Sequence, residues 1–457
     1  MEFGASPRAG QAALMAVLFL FLISLAVSIG FVAIANREIR NAKAAMDAKR
    51  SFFLAEAGVE DVVYRLKTSK QVSPSESYSL GGVQATVTLT DVAGGKEVLG
   101  TGNANNALRR SQAVIKQGLS GVGFVYGVQV DAGGLDMDNN SKVQGAAGAA
   151  GNVYSNGPIT ASNGTIITGD ATVAGVLGSI SGVTIKGNAR AHSITTSSIC
   201  GDAYHTSIDA SSLNFVNAPT GSTCSSPLTP GTAYPDSADP SPAAFPITDS
   251  QIQQWKDDAA AGGTITGNCG DSGAPECTIN DNETLYLGPR KISGDLTLSK
   301  KQTLVITGTL YLTGSISISN SQVTIKCDPA YGSNSCMIVL DSWVNVSNNS
   351  KFQGSGASGS YLMMLSTIVG CNGGSQTPSC TDHNAGMEIN NNVGGSIFYL
   401  PRSLAYIKNN SLITELTAYT IHLESNAIIT YQQGLANLQF SSGPTGGWVI
   451  QSWEEVE

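Results

Sequence analysis

Charge is scarce in this chain. Asp, Glu, Lys and Arg make up 13% of its 457 residues, and histidine occurs only 4 times, so little material is left for acid–base catalysis. No cluster of lysine and arginine stands out. The net charge is −9 and the pI is near 5.0, which excludes the basic field that a nucleic-acid-binding surface needs. The densest basic stretch, Arg37 to Arg50, is interleaved with Glu38 and Asp47 and reads as a solvated helix face. A glycine-rich phosphate loop, a serine elbow and a His-Glu-Xaa-Xaa-His motif are all missing, which removes the commonest signatures of phosphate, acyl and zinc-hydrolase chemistry. Proline is absent from Arg8 to Ser73, and no charge occurs between Ala9 and Asn36.

Those last two absences describe one object. An uncharged run rich in Leu, Val, Ala and Phe is too long for the apolar part of a signal peptide and suits a membrane-spanning helix. Between Ala12 and Lys67 the only strongly helix-weakening residues are Gly30 and Gly58, so a continuous rod of roughly 80 Å is expected, far longer than a bilayer core is thick. On its protruding half Ile39, Ala42, Met46, Phe53, Ala57 and Leu66, with Phe52, Val59 and Val63 beside them, form an apolar stripe suited to a partner helix or to the chain's own β-structure.

Within this rod, Ser51-Phe52-Phe53-Leu54-Ala55-Glu56-Ala57-Gly58-Val59-Glu60 and the start Arg8-Ala9-Gly10-Gln11-Ala12-Ala13-Leu14 resemble the N-terminal region of PilX-like type IV minor pilins. The resemblance covers about the first 120 residues. It implies an N-in orientation, a processing region at Gly10 and Gln11, and assembly with other pilin subunits through Phe52, Phe53, Glu56, Ala57, Gly58, Val59 and Glu60. It also implies residence in the inner or cytoplasmic membrane before assembly, then on a pilus or the cell surface. A cut after Gly10 places Met15 at the fifth mature position, where ordinary pilins carry glutamate.

The eight cysteines lie beyond the helix in local pairs: Cys200 with Cys224, Cys269 with Cys277, Cys327 with Cys336, and Cys371 with Cys380. An even number outside the anchor suits disulfides formed outside the cytoplasm, with the connectivity open. His192 and His205 flank Cys200, but the set matches no compact zinc spacing, and no metal site is assigned there.

Beyond the helix, Tyr78 to Lys116 reads as a small antiparallel meander with strands at Val83–Leu89, Glu97–Thr101 and Ser111–Lys116, to be covered by the end of the long helix. After Gly121, short apolar strands are broken by Gly and Asn. Asn139-Asn140-Ser141-Lys142-Val143-Gln144-Gly145 recurs as Asn348-Asn349-Ser350-Lys351-Phe352-Gln353-Gly354, Asn409-Asn410-Ser411 echoes its start, and Asn391, Asn410 and Asn426 mark a short period. That spacing suits coils of a solenoid, and Ile292 to Ile325 fits it best. We therefore expect a right-handed parallel β-helix, with a β-sandwich as the alternative. The expected segments are 1–36 leader and transmembrane helix, 37–70 protruding amphipathic helix, 71–120 small pilin-like sheet, 121–214 first β-helix section, and 215–247 Pro-rich excursion. The last, 248–457, holds a capping helix, the main β-helix and a tail. Thr248-Asp249-Ser250 caps a helix Gln251–Ala261, anchored by Ile252 and Trp255, that can plug an end or side of the solenoid. Trp448-Val449-Ile450-Gln451-Ser452-Trp453 is expected to cover the other end or meet a partner.

A solenoid of this kind can carry a polysaccharide-active site built from carboxylates. The candidates are Asp131, Asp136 and Asp138, Asp202 with His205, Asp257 and Asp258, and Asp382 with His383. Asp136 and Asp138 share a strand face, where their oxygens can hold calcium; the others read as turns or surface charges. No enzymatic activity and no obligatory cofactor are expected. The expected function is display of the β-helix for adhesion to a surface or glycan ligand. The alternative is a membrane-anchored β-helix that binds or degrades polysaccharide. Tyr126, Tyr154, Tyr204, Tyr234 and Tyr331 either fill coils or stack on sugars.

Overall fold

The computed structural model describes residues 7–67, 72–92, 95–117, 119–146, 150–208, 231–319, 322–370, 384–441 and 448–456. A long N-terminal apolar helix is followed by a mainly-β body, and the chain divides into two units.

The first unit joins the helix α1 (Pro7–Lys67) to a five-stranded sheet. The segment Gln11–Lys67 is long and apolar enough to cross a membrane, with a mean hydropathy of 2.8 over its most apolar stretch. Lower down, one face of α1 is buried through Asp47, Ser51, Ala55, Gly58, Val59, Val62 and Val63, a three-to-four residue spacing that keeps them on one side. The strands β1 (Ser75–Leu80), β2 (Val83–Val92), β3 (Gly95–Ala104) and β4 (Ala107–Gln117) form an antiparallel meander. The helix sits almost on the backbone of β3: a Cβ at Gly102 would stand 2.0 Å from the Ser51 carbonyl oxygen, and one at Gly100 2.6 Å from that of Ala55. Around them Val83, Ala85, Val87, Val98, Ala113 and Ile115 are buried. Two features exceed the expectation from sequence. Ser75–Leu80 adds a strand, and Trp448–Val456, expected at a solenoid end, pairs beside β4 as the fifth strand, where it covers an otherwise open sheet edge.

In the second unit the ladders run parallel from coil to coil, apart from the antiparallel pair Leu119–Val122 with Leu438–Ser441. A sandwich requires antiparallel sheets throughout. The segment Ile292–Ile325 contributes strands as expected, with Leu296–Leu298 against Ile316–Ile318 and Thr303–Ile306 against Thr324–Cys327. The order of the coils differs from the order of the chain. From Val128–Met137 the chain winds outward through Val153–Ser155, Ala171–Val173, Ala189–Thr195 and Ala203–Ile208. It then resumes at Thr264–Thr266 and winds back through seven coils to Glu415–Leu423, which pairs with Val128–Met137: Leu416 lies opposite Val128, and Ile421 opposite Leu135. A second ladder crosses the same seam, Ile428–Tyr431 on Lys142–Gly145. The stack is continuous, yet its middle joint unites the first coil in sequence with the last.

Between the two windings the chain travels lengthwise along the coils. Thr206 Oγ1 donates to the Ser237 carbonyl at 3.4 Å, Gly175 N to that of Pro240 at 2.9 Å, Gln129 Nε2 to that of Ala244 at 2.9 Å, and Tyr399 Oη to that of Ile247 at 3.1 Å. The helix α2 (Asp249–Ala261) continues the journey, with Thr248 and Gln251 closing a reciprocal capping box. It lies on the side of the coils: Lys256 Nζ pairs with Asp341, and Trp255 joins the buried cluster of Met337, Val339, Leu365 and Phe440.

Two corners repeat up the stack. At one, consecutive left-handed residues, among them Asn139-Asn140, Asn348-Asn349, Asn391-Asn392, Asn409-Asn410 and Ser425-Asn426, have φ between +49° and +63°. Asparagine tolerates this region better than most residues. The second residue of each pair hands its N–H to the next coil, as in Asn392 N to Asn409 O at 3.0 Å, Asn410 N to Ser425 O at 3.0 Å and Asn426 N to Asn139 O at 2.9 Å. At the other corner a Gly-Asx dipeptide recurs. The side chain of Asn152 accepts from Asp170 N at 2.9 Å, that of Asp170 from Asn188 N at 2.7 Å, and that of Asn188 from Asp202 N at 2.8 Å. The preceding glycines stack so closely that a Cβ on Gly187 would meet Asp170 Oδ1 at 2.4 Å.

Disulfides join Cys269 to Cys277 and Cys327 to Cys336. Each closes an excursion from a longer coil: Ile265 pairs with Ile292 and Ile316 with Val344, whereas the intervening step from Leu296 to Ile316 is shorter. Cys200 is also disulfide-bonded; Cys224, Cys371 and Cys380 lie outside the described residues.

Candidate functional site

Along α1 the residues singled out from sequence separate onto two faces. Gly58 and Val59 are buried; a Cβ on Gly58 would meet the Val87 side chain at 2.7 Å. Glu56 and Phe52 are half-buried, the latter in edge contact with Phe53 at 5.9 Å. Phe53, Ala57 and Glu60 face outward, and Phe53 keeps 62% of its surface exposed. Met46 and Ile39, one and two heptads before it, are also exposed, as are Ala42 and Tyr64. The apolar stripe is thus split: Val59 and Val63 serve the sheet, while Ile39, Ala42, Met46, Phe53 and Ala57 leave an unburied seam. A seven-residue repeat drifts only about 20° per step on an α-helix, so the seam stays on one side over several turns. Gly10 lies in α1, as does Gln11, which is exposed.

Below the seam, Arg65 ties the helix end to β1. It pairs with Asp61 at 2.9 Å and Glu76 at 3.2 Å and donates to Tyr78 Oη at 2.9 Å, while Tyr78 donates to Asp61 at 2.8 Å. The Glu76 carboxyl is held below its usual range, chiefly by the Ser73 backbone N–H.

Most carboxylates considered for catalysis have structural employment. Asp131 accepts from Asn156 at 3.1 Å, Asp202 from Thr232 N at 2.8 Å, Asp257 from Gln253 and Asp258 from Gln254, both at 2.8 Å. His205 points into the stack and is 4% exposed, and burial pushes its pKa down. His192 sits against Asp239 at 3.1 Å. With Cys200 in a disulfide, the thiolate that a shared metal site would need is absent there. Asp382 and His383 lie outside the described residues.

Asp136 and Asp138 behave differently. Asp136 lies in the strand of the first coil with Asp138 just past its end, and the neighbouring last coil brings His422 opposite Asp136 in the ladder. His422 Nε2 lies 3.9 Å from Asp136 Oδ2 and 3.8 Å from Asp138 Oδ2. Asp136 Oδ1 accepts from Thr160 at 2.8 Å, and Asp138 Oδ1 accepts from Ser162. The imidazole stacks on Tyr406 with ring centres 5.0 Å apart. Sequence reading found the two carboxylates and missed the histidine, because its partnership depends on the seam rather than on local spacing.

The tyrosines also divide. Tyr331 is 4% exposed and fills the interior. Tyr126 lies tilted against Tyr154 at 5.1 Å, and Tyr204 lies parallel to Tyr234 at 4.7 Å with the Arg190 guanidinium 5.8 Å from the Tyr204 ring. Tyr154, Arg190, Tyr204 and Tyr234 share one outward row of successive coils.

No protein-family model matches the chain, and no curated protein matches it. Among solved structures, the crystal structure of the competence-associated pilin ComZ from Thermus thermophilus aligns over 90% of this chain and 97% of its own, at 10% identity and a TM-score of 0.23. A likeness of that extent carries no argument.

Proposed function

We propose that the protein is a minor-pilin-like subunit of a type IV filament, PilX-like in its N-terminal region. It is inserted in the inner or cytoplasmic membrane through α1 and then displayed at the cell surface. In this reading the coil stack is a right-handed parallel β-helix that serves as an enlarged head for adhesion, without catalytic activity. The observation that carries it is the outward seam of α1, Ile39–Ala42–Met46–Phe53–Ala57, which continues past bilayer length while the opposite face is engaged by β-structure. An anchor alone has no use for such a seam; packing against neighbouring helices does. The head's size favours a sparse position over repetition at every filament step.

The test is the double substitution Phe53→Asp with Ala57→Asp. Both side chains point away from the sheet, so the purified variant should melt as the parent does while immunogold labelling of sheared filaments disappears. Undiminished labelling would remove helix packing as the route of assembly. Uniform decoration of the parent along the shaft would make it a major subunit.

The parallel pair of Tyr204 and Tyr234 on the outside of the coils favours a glycan as the ligand, since flat rings suit sugar faces, whereas Tyr154 and Arg190 in the same row donate to the carbonyls of Ser241 and Ala238. The pair equally underlies the second reading, a membrane-anchored β-helix that binds or degrades polysaccharide with no filament. Glycan-array binding with no shortening of the bound chains supports adhesion; shortened chains support the second reading.

A further inference from the structure

We propose that Asp136, Asp138 and His422 form a site for a divalent transition cation of the zinc class, and that the ion ties the last coil in sequence to the first across the middle joint of the stack. One donor atom from each residue lies within 4.8 Å of the others. In a tetrahedral site with ligands near 2.0–2.1 Å, donors stand about 3.3 Å apart, so the observed Nε2 to Oδ2 distances of 3.8 and 3.9 Å need only a small closing movement. The orientation is already set. Thr160 and Ser162, from the next coil, hold the Oδ1 atoms and leave both Oδ2 atoms for the centre. Tyr406 steadies the imidazole from the coil on the other side. Fixing ligand carboxylates through outer hydrogen bonds is what metal sites do.

Charge points the same way. Among the described residues neither carboxylate forms an ion pair with lysine or arginine; the nearby Lys408 is taken by Glu388 at 2.8 Å and lies over the Tyr406 ring, and Glu424 accepts from Tyr406. With a neutral imidazole, the trio holds two negative charges facing one nitrogen. An imidazole with two carboxylates suits zinc or manganese, whereas calcium takes six to eight oxygens. Three protein donors leave a position for water. The ion would bridge a coil joint made by residues from opposite ends of the winding order, so its first effect is on that joint.

The test uses the full-length protein in detergent, freed of metal by chelation and titrated with zinc, cobalt and calcium chlorides. The expected result is one zinc per chain, calcium at least tenfold weaker, a visible cobalt absorption band of a low-coordinate site, and slower hydrogen exchange of the seam strands 128–137 and 415–423 with zinc. His422→Gln and Asp138→Asn should each weaken zinc binding at least tenfold while the metal-free proteins melt within a few degrees of the parent. Calcium bound as tightly as zinc, zinc uptake unchanged by His422→Gln, or no saturable uptake would overturn the proposal and leave the trio a structural contact across the joint. None of these outcomes touches the filament reading, which rests on α1.

Discussion

The two windings of the stack share ladders and corners but differ in what fills and covers them. One interior row can be followed through both: Leu310, Ile338, Met364, Phe398 and Leu416 in the C-terminal winding, then Val128, Val153, Ala171, Ala189 and Ala203 in the N-terminal one, each opposite the next and all essentially buried. Side-chain volume falls from Phe398 to Ala203, and within the N-terminal winding the coils shorten from the 25-residue step Val128 to Val153 to the 14-residue step Ala189 to Ala203. The C-terminal winding also has a second apolar layer outside it, where Met337, Val339, Met363, Ile397 and Tyr399 lie beneath Trp255, Leu435 and Phe440. The N-terminal winding is crossed there by the segment that connects the two windings, whose Ala238, Ala243 and Ala244 carbonyls accept from Arg190, Asn156 and Gln129. Interior width is therefore set by residue size, and cover by what the connecting segment brings.

Substitutions can break that comparison. The largest effect is expected from Phe398→Ala, which empties the widest part of the row and should cost about 4 kcal/mol in urea unfolding. The same truncation logic has no counterpart at Ala189. Removing the Cys269–Cys277 bridge by paired alanines should cost about 2.5 kcal/mol in the chain-entropy view, read by denaturation without reductant, with the loss confined to the C-terminal winding in hydrogen exchange. Ala189→Leu tests the narrow end, where overpacking should cost about 2 kcal/mol and raise exchange in strands 171–173 and 203–208. Asn410→Ala keeps its backbone bond but puts a Cβ-bearing residue without a compensating amide into the left-handed region, at about 1 kcal/mol.

The last effect starts from nothing and grows with pH. Glu415 is wholly buried, accepts from Thr417 at 2.6 Å, and has no hydrogen-bond partner for Oε2 among the described residues. Burial holds its pKa well above the ordinary value of 4.5. As pH rises above that value the unfolded chain releases this proton while the folded one keeps it, so stability falls until the folded carboxyl also ionises. Glu415→Gln should match the parent near pH 4 and exceed it progressively towards pH 8 in melting experiments.

Much of this was legible in residues that act locally. The uncharged run and the proline gap gave α1, Thr248 gave the start of α2 within two residues, and the repeated Asn pairs marked a real corner because left-handed geometry is a property of the residue itself. The Gly-Asx corner was equally legible, since Gly151-Asn152, Gly169-Asp170 and Gly187-Asn188 recur every 18 residues, but short polar dipeptides resemble ordinary turns. The joining of residues 128–145 to 415–431 left no trace in local pattern, because a parallel ladder records nothing about the sequence distance between its strands. His422 was hidden by the same fact, and so was the pairing of Trp448–Val456 beside β4, an edge position that many alternating segments would fit.

That non-sequential joint governs the order in which the molecule can be completed. During synthesis the strand Val128–Met137 emerges early, and one of its edges has no neighbour until residues 415–431 follow. For that interval a row of backbone donors and acceptors stands ready to recruit the wrong strand. A chaperone has reason to shield it until the final coil arrives and closes the gap.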